Sequence, residues 1–106
     1  MEAQSEIDRI LQALGDPTRR AILARLGEGP QSISGLAEPL GVSLTAVSQH
    51  LQILQDCGLA QSRKVGRVRS CRIDTQGFRT LENWIRDQRS VWEQRLDRLG
   101  DIAAED

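Results

Sequence analysis

The sequence contains no run of about 18 apolar residues, so no part of it reads as a membrane-spanning helix. Its opening, Met1-Glu2-Ala3-Gln4-Ser5-Glu6, is acidic and polar and lacks the apolar stretch of a secretory signal. A cytoplasmic location, away from membranes, is the expectation. Cysteine occurs twice, at Cys57 and Cys71, and in an intracellular chain such thiols are expected reduced rather than paired. Histidine occurs once, at His50. There is no phosphate loop, no metal-ligand spacing and no nucleophile beside a base, so neither an enzyme nor a cofactor is expected. Repeats, low-complexity tracts and linker-like stretches are also missing. The 106 residues leave room for one domain over 1–106. A domain this small buries only part of its apolar surface, and self-association is a natural way to bury more.

The net charge of −1 and a pI near 5.8 argue, as averages, against a nucleic-acid binder. Their distribution argues otherwise. Residues 1–56 carry net −3 and residues 74–106 net −3, while residues 57–73 hold Arg63, Lys64, Arg67, Arg69 and Arg72 with no acid, net +5. A cationic strip between acidic flanks suits one polyanion-facing surface, or simply a solvated face; charge alone leaves both open.

Ile7, Ile10, Leu11 and Leu14 recur at helical spacing, and the first helix closes at Gly15. Asp16 then caps a second helix with Pro17 at its first position and Ala21, Ile22, Leu23 and Leu26 along its apolar stripe. This helix stops at Gly27-Glu28-Gly29-Pro30. Ser32 caps a third, with Ile33, Leu36, Ala37 and Leu40 inward and Pro39 shortening its end. After the turn Gly41-Val42-Ser43, Ser43 caps a fourth helix carrying Val47, Leu51 and Leu54 on one face. Gly58 supplies its left-handed end.

The period then falls to two over Leu59–Val65 and Val68–Ile73, a two-stranded hairpin with Gly66-Arg67 between. Asp74-Thr75 starts a last helix of about 25 residues, longer than the usual 11–12 or so. Its apolar residues are Phe78, Leu81, Ile85, Trp92, Leu99 and Ile102. The expected fold is mainly α with a small β-hairpin, a winged helix-turn-helix of about five helices and a two-stranded wing.

Ala37, Gly41, Val47 and Leu51 provide the small crossing residue, tight turn and apolar underside that a helix-turn-helix needs. The outer face of the fourth helix then presents Thr45, Ser48, Gln49 and Gln52, with Ser43 at its start. Gln engages adenine through paired hydrogen bonds, while Ser and Thr serve base edges or phosphates. A plain helical hairpin with a polar surface is the rival reading; the capped turn and the basic hairpin favour DNA. Arg63, Lys64, Arg67 and Arg69 form the wing beside Gly66 and reach backbone or minor groove. Arg72, nearer the base, is a candidate partner for an acid. His50 is either a phosphate contact or a histidine packed between helices. The chain is therefore expected to bind double-stranded operator DNA as a regulator. A winged helix that binds protein is a third class, disfavoured by Arg67 and Arg69.

These residues resemble the ArsR family of bacterial regulators over nearly the whole chain. Leu14-Gly15-Asp16-Pro17-Thr18-Arg19-Arg20-Ala21-Ile22-Leu23 looks like that family's entry into its second helix. Ala46-Val47-Ser48-Gln49-His50-Leu51-Gln52-Ile53-Leu54, then Cys57-Gly58-Leu59, looks like its recognition helix and exit. Trp84-Ile85 and Trp92-Glu93-Gln94-Arg95-Leu96-Asp97-Arg98-Leu99 are similar to members without a metal site. The resemblance implies repression from a symmetric operator by a homodimer joined through its first and last helices. Ile7, Ile10, Leu14, Leu81, Ile85, Trp92 and Leu99 are the candidate interface residues, with Trp92 as anchor. The family's metal-binding Cys-x-Cys aligns with Ser32-Ile33-Ser34, and hydroxyls are poor ligands for soft metals, so no metal is expected. Cys57 and Cys71 leave a thiol-based redox switch as an alternative; two small buried hydrophobes is the plainer reading.

Overall fold

The computed structural model describes the backbone of residues 2–105 and the side chains of residues 5–100. The chain runs α1 (Glu2–Leu14), α2 (Pro17–Leu26), β1 (Gln31–Ser32), α3 (Ile33–Leu40), α4 (Leu44–Asp56), β2 (Ala60–Val65), β3 (Val68–Ile73) and α5 (Thr75–Glu105).

Polar side chains start the middle helices at the expected places. Asp16 Oδ2 accepts from Arg19 N at 2.9 Å, Ser32 Oγ from Gly35 N at 3.0 Å, and Ser43 Oγ from Ala46 N at 3.1 Å. Each satisfies a backbone donor that the first turn leaves without a carbonyl. Glycines end α3 and α4. Gly41 and Gly58 have φ of +67° and +77°, and the next residues close back, Val42 N to Ala37 O and Leu59 N to Leu54 O. This left-handed closure turns the chain sharply and defines the angle between α3 and α4. Helix α1 has no basic residue in its own last turn. Two arginines of α2 supply the missing donors: Arg19 bonds Ala13 O at 2.8 Å and Gln12 O at 3.2 Å, and Arg20 bonds Leu14 O at 2.6 Å.

The core gathers Ile10, Ala13, Ile22, Leu23, Leu26, Leu36, Ala37, Val47, Leu51, Leu54, Leu59, Ala60 and Cys71. It draws on α1 through β3, and Phe78 and Leu81 of α5 pack against its edge. Two expected interface residues belong inside instead. Ile7 and Ile10 are each only 2% exposed within the protomer, so their apolar area is already withdrawn from water and has nothing left to give a partner. Leu14 and Leu81 are half-buried against the core, whereas Ile85, Trp92 and Leu99 are exposed. Ile102, also expected on the apolar stripe, lies outside the described side chains.

The sheet has one strand more than the expected wing. Gln31 and Ser32 pair antiparallel with Cys71 and Ser70, giving three strands in the order β1-β3-β2. The base of the hairpin is thereby tied to the start of α3. Helix α5 spans 31 residues rather than about 25. Its start is set by a close backbone contact in which Gly77 N donates to Gly58 O at 2.7 Å. The helix then carries the molecule to a principal extent of 69 Å against 28 and 20 Å. No helix among the described residues is long and apolar enough to cross a membrane.

Candidate nucleic-acid interface

Helix α4 buries Val47, Leu51 and Leu54, and that anchoring fixes which of its residues face outward. Ser43, Thr45, Ser48, Gln49 and Gln52 are all exposed. They do not have equal freedom. The Ser43 oxygen is engaged by Ala46 N as the helix cap, and Gln52 Nε2 donates to Asp56 Oδ1 at 2.8 Å. Thr45, Ser48 and Gln49 are the open donors and acceptors of this face.

His50 turns away from it. The ring packs between α4 and α2, with Nδ1 3.4 Å from Arg19 Nη1 and 4.0 Å from Asp16 Oδ2. An arginine only donates, so Nδ1 is the acceptor in its contact with Arg19. The expectation of a phosphate contact is therefore revised: His50 joins α4 to the capped start of α2. Asp16 in turn has its carboxyl held below the ordinary carboxylate range, chiefly by the Arg19 backbone N–H, with slight burial opposing and the nearby Arg19 charge assisting.

In the wing, register divides the cations between faces. Ser62 stands opposite Cys71 and Lys64 opposite Arg69, so Ala60, Ser62, Lys64, Arg69 and Cys71 share the face that carries the core. Arg63, paired with Ser70, points the other way. Val65 and Val68 close the hairpin around Gly66, whose φ is +64°, and Arg67. Glycine is the residue suited to that first loop position. Arg63, Lys64, Arg67 and Arg69 are all exposed. Lys64 directly across from Arg69 costs stability in an isolated hairpin, because like charges on opposed positions repel. An anion laid along the wing would remove that cost.

Arg72 meets no acid among the described residues. Its Nε and Nη2 both donate to Gln61 Oε1, at 3.2 and 3.1 Å, so the base of the wing is locked across strands by an amide. Sequence reasoning passed over Gln55 and Ser62. Arg69 Nη1 donates to Ser62 Oγ at 3.1 Å, and Ser62 Oγ donates to Gln55 Oε1 at 3.1 Å. With Ser48, Gln52, Ile33 and Leu51 these residues line a cleft of about 240 Å³ between α4 and the wing.

The thiols lie elsewhere. Cys57 is half-buried at the end of α4, with Sγ 3.6 Å from Leu54 O, and Cys71 is buried on β3. Burial pushes both thiols up, away from the thiolate that oxidation chemistry needs. Among the described residues no three His, Cys, Asp or Glu side chains are grouped to hold a metal ion.

Known proteins share this arrangement. A helix-turn-helix domain family matches residues 14–63. The HTH-type transcriptional regulator Rv2034 of Mycobacterium tuberculosis is 40% identical over 99 residues, which cover 89% of this chain and 92% of that one. An ArsR-like transcriptional regulator from Rhodococcus sp. RHA1 superposes with a TM-score of 0.86 at 36% identity, covering 97% of both chains. The homodimeric winged helix-turn-helix DNA-binding domain of Mb0332 from Mycobacterium bovis, a possible ArsR-family regulator, matches with a TM-score of 0.65 at 25% identity, covering 90% of this chain and 85% of that one. Fold, exposed α4 face, cationic hairpin and sequence agree: the chain belongs to the ArsR family of winged helix-turn-helix transcriptional regulators.

Proposed function

We propose that this regulator acts in the cytoplasm as a homodimeric repressor, lying across a symmetric operator and keeping polymerase from an overlapping promoter. Residues 1–106 act as one DNA-binding domain with dimerisation helices at its ends. Thr45, Ser48 and Gln49 enter the major groove, while Arg63, Lys64, Arg67 and Arg69 follow the backbone and adjacent minor groove. The observation that carries this reading is the open polar face of α4 beside a hairpin whose four outer cations include two set directly against each other. Such an arrangement is costly without an anion and favourable with one.

The dimer reading is supported by the far half of α5. Ile85, Trp92, Leu96 and Leu99 are 46%, 53%, 64% and 62% exposed, on a helix that runs past the body of its own protomer. Apolar surface of this kind on a small domain marks an interaction site. Leu11 is the apolar residue that α1 leaves outside once Ile7 and Ile10 have turned inward. The homodimeric Mycobacterium bovis relative points the same way. Two-fold symmetry then sets the α4 helices at half-sites roughly 34 Å, or a multiple of that, apart.

Mobility shift and footprinting on the DNA upstream of the protein's own coding sequence, with sedimentation equilibrium, test the reading. A footprint with two-fold symmetry and a dimer at micromolar concentration is expected, and transcription in vitro from that promoter should fall. A chain that stays monomeric and ignores duplex DNA in dilute salt would overturn the proposal. Stimulated transcription would overturn the repressor role alone.

A further inference from the structure

We propose that Gln55 is a positioning residue for Arg69, acting through Ser62 so that the recognition helix and the wing engage DNA as one rigid unit. The inference rests on the operator-binding reading and assigns a role to a residue outside the base-reading face.

A serine hydroxyl has one proton. With Gln55 Oε1 as its acceptor at 3.1 Å, the Ser62 O–H points towards α4, and its lone pairs are left for Arg69 Nη1 at 3.1 Å. The direction of the relay is thus dictated by the amide oxygen at its end. Removing that oxygen frees the hydroxyl to rotate and removes the reason for Arg69 to stay. Two further features make the tether consequential. Lys64, directly across from Arg69, repels the guanidinium. Arginine is also a long side chain whose immobilisation carries a large entropic cost, and that cost falls on binding unless it has already been met in the free protein. The relay consumes one of the five N–H donors of Arg69 and leaves the rest for phosphate oxygens.

The cleft that Gln55 and Ser62 help line also contains Ser48 and Gln52, so the reading face of α4 continues into the wing without a break. The relay fixes the offset between a major-groove contact and a backbone contact. It therefore bears on sequence selectivity as well as on affinity.

The test uses fluorescence anisotropy on two duplexes, one selected by the wild-type protein from a randomised library and one of random sequence. Gln55→Ala is expected to weaken the selected duplex by about tenfold, and the random duplex by less than about twofold, because pre-organisation is lost while charge is kept. Its salt dependence should match the wild type, whereas Arg69→Ala lowers the slope by about 1 per protomer. In the Arg69→Ala background, adding Gln55→Ala should cost nothing more. Ser62→Ala should reproduce Gln55→Ala, and Ser62→Thr, which keeps the hydroxyl, should bind as the wild type does. Additive losses in the double variant, or equal losses on both duplexes, overturn the inference. Failure of the wild-type protein to select any duplex overturns the operator reading and this inference with it.

Discussion

Two parts of the molecule reach beyond the core, and they do so with opposite chemistry. The tip of the wing, Arg63 to Arg69, exposes four cations around a two-residue loop, while the far half of α5 exposes Ile85, Trp92, Leu96 and Leu99. Neither is held by the apolar cluster that unites the helices and the sheet base. Each is an unfinished surface, and what finishes it differs. Cations set against one another become favourable beside a polyanion, in a manner that salt weakens. Apolar side chains become favourable against another apolar surface, in a manner that salt hardly touches. The two extremities should therefore fail independently when altered.

The largest effect is expected at α5. Replacing Trp92 and Leu99 together with Ala should raise the dimer dissociation constant by about 100-fold or more, since buried aromatic anchors carry much of an interface's energy. Sedimentation equilibrium measures this, and the core should stay folded because neither residue contributes to it. A dimer unmoved by the double substitution would place the interface elsewhere.

Next in size is the joint from which α5 departs. A Cβ on Gly77 would lie 2.7 Å from both Cys57 O and Gly58 O, contacts with backbone that no rotamer relieves. Gly77→Ala should cost about 1–3 kcal/mol through overpacking. Thermal unfolding would then shift down by roughly 4–8 °C for each kcal/mol. An unchanged melting temperature would mean that α5 can lift from the α4–β2 corner without loss, and the two extremities would then share no rigid base.

Substitution of Arg67 and Arg69 with Ala should weaken binding to both operator and random duplex, the operator more because the placed Arg69 is lost with the charge, and reduce the salt slope by about 2 per protomer. Dimerisation should be unaffected. Gln49→Ala should instead relax base preference by about 1–3 kcal/mol at one position and leave the slope alone. A change of dimer affinity in the arginine variant would break the independence of the two surfaces.

Local chemistry made much of this legible in sequence. The caps at Asp16, Ser32 and Ser43 and the left-handed Gly41 and Gly58 depend on residues within a few positions of one another, and all hold their expected places. The hairpin register follows from its two-residue loop. What escaped depends on distant parts of the chain. Strand β1 has two residues, too few to show a period, and exists because β3 offers it a partner. Ile7 and Ile10 lie on an apolar helical face whose spacing is the same whether it meets its own protomer or another. Gly77 reads as a poor helix residue until the backbone of Gly58 is brought against it. His50 is read from its place beside the base-reading face and Arg72 from its place near the base of the wing, whereas α2 and Gln61 decide where they point.

The smallest expected effect is in the base that both extremities share, and it is read from pH. Asp16 caps α2, and its carboxyl titrates below the ordinary value, chiefly because it accepts from Arg19 N. A carboxyl whose folded pKa is depressed binds its proton more readily when unfolded. Its contribution to stability is therefore complete above the unfolded value of about 3.9 and is lost as pH falls through the lower folded value. Asp16→Asn keeps an oxygen for the Arg19 N–H and is about as good a cap, but it does not titrate. The variant should melt slightly below the wild type at neutral pH, where the charged cap also suits the helix dipole and the neighbouring Arg19. As the medium is taken from pH 5 towards pH 2, roughly the window set by that depressed carboxyl, the difference should shrink and disappear. A gap that stayed constant through acid would mean that the Asp16 charge contributes nothing at this corner, and that the neutral hydrogen bond alone aligns α2 beneath the recognition helix.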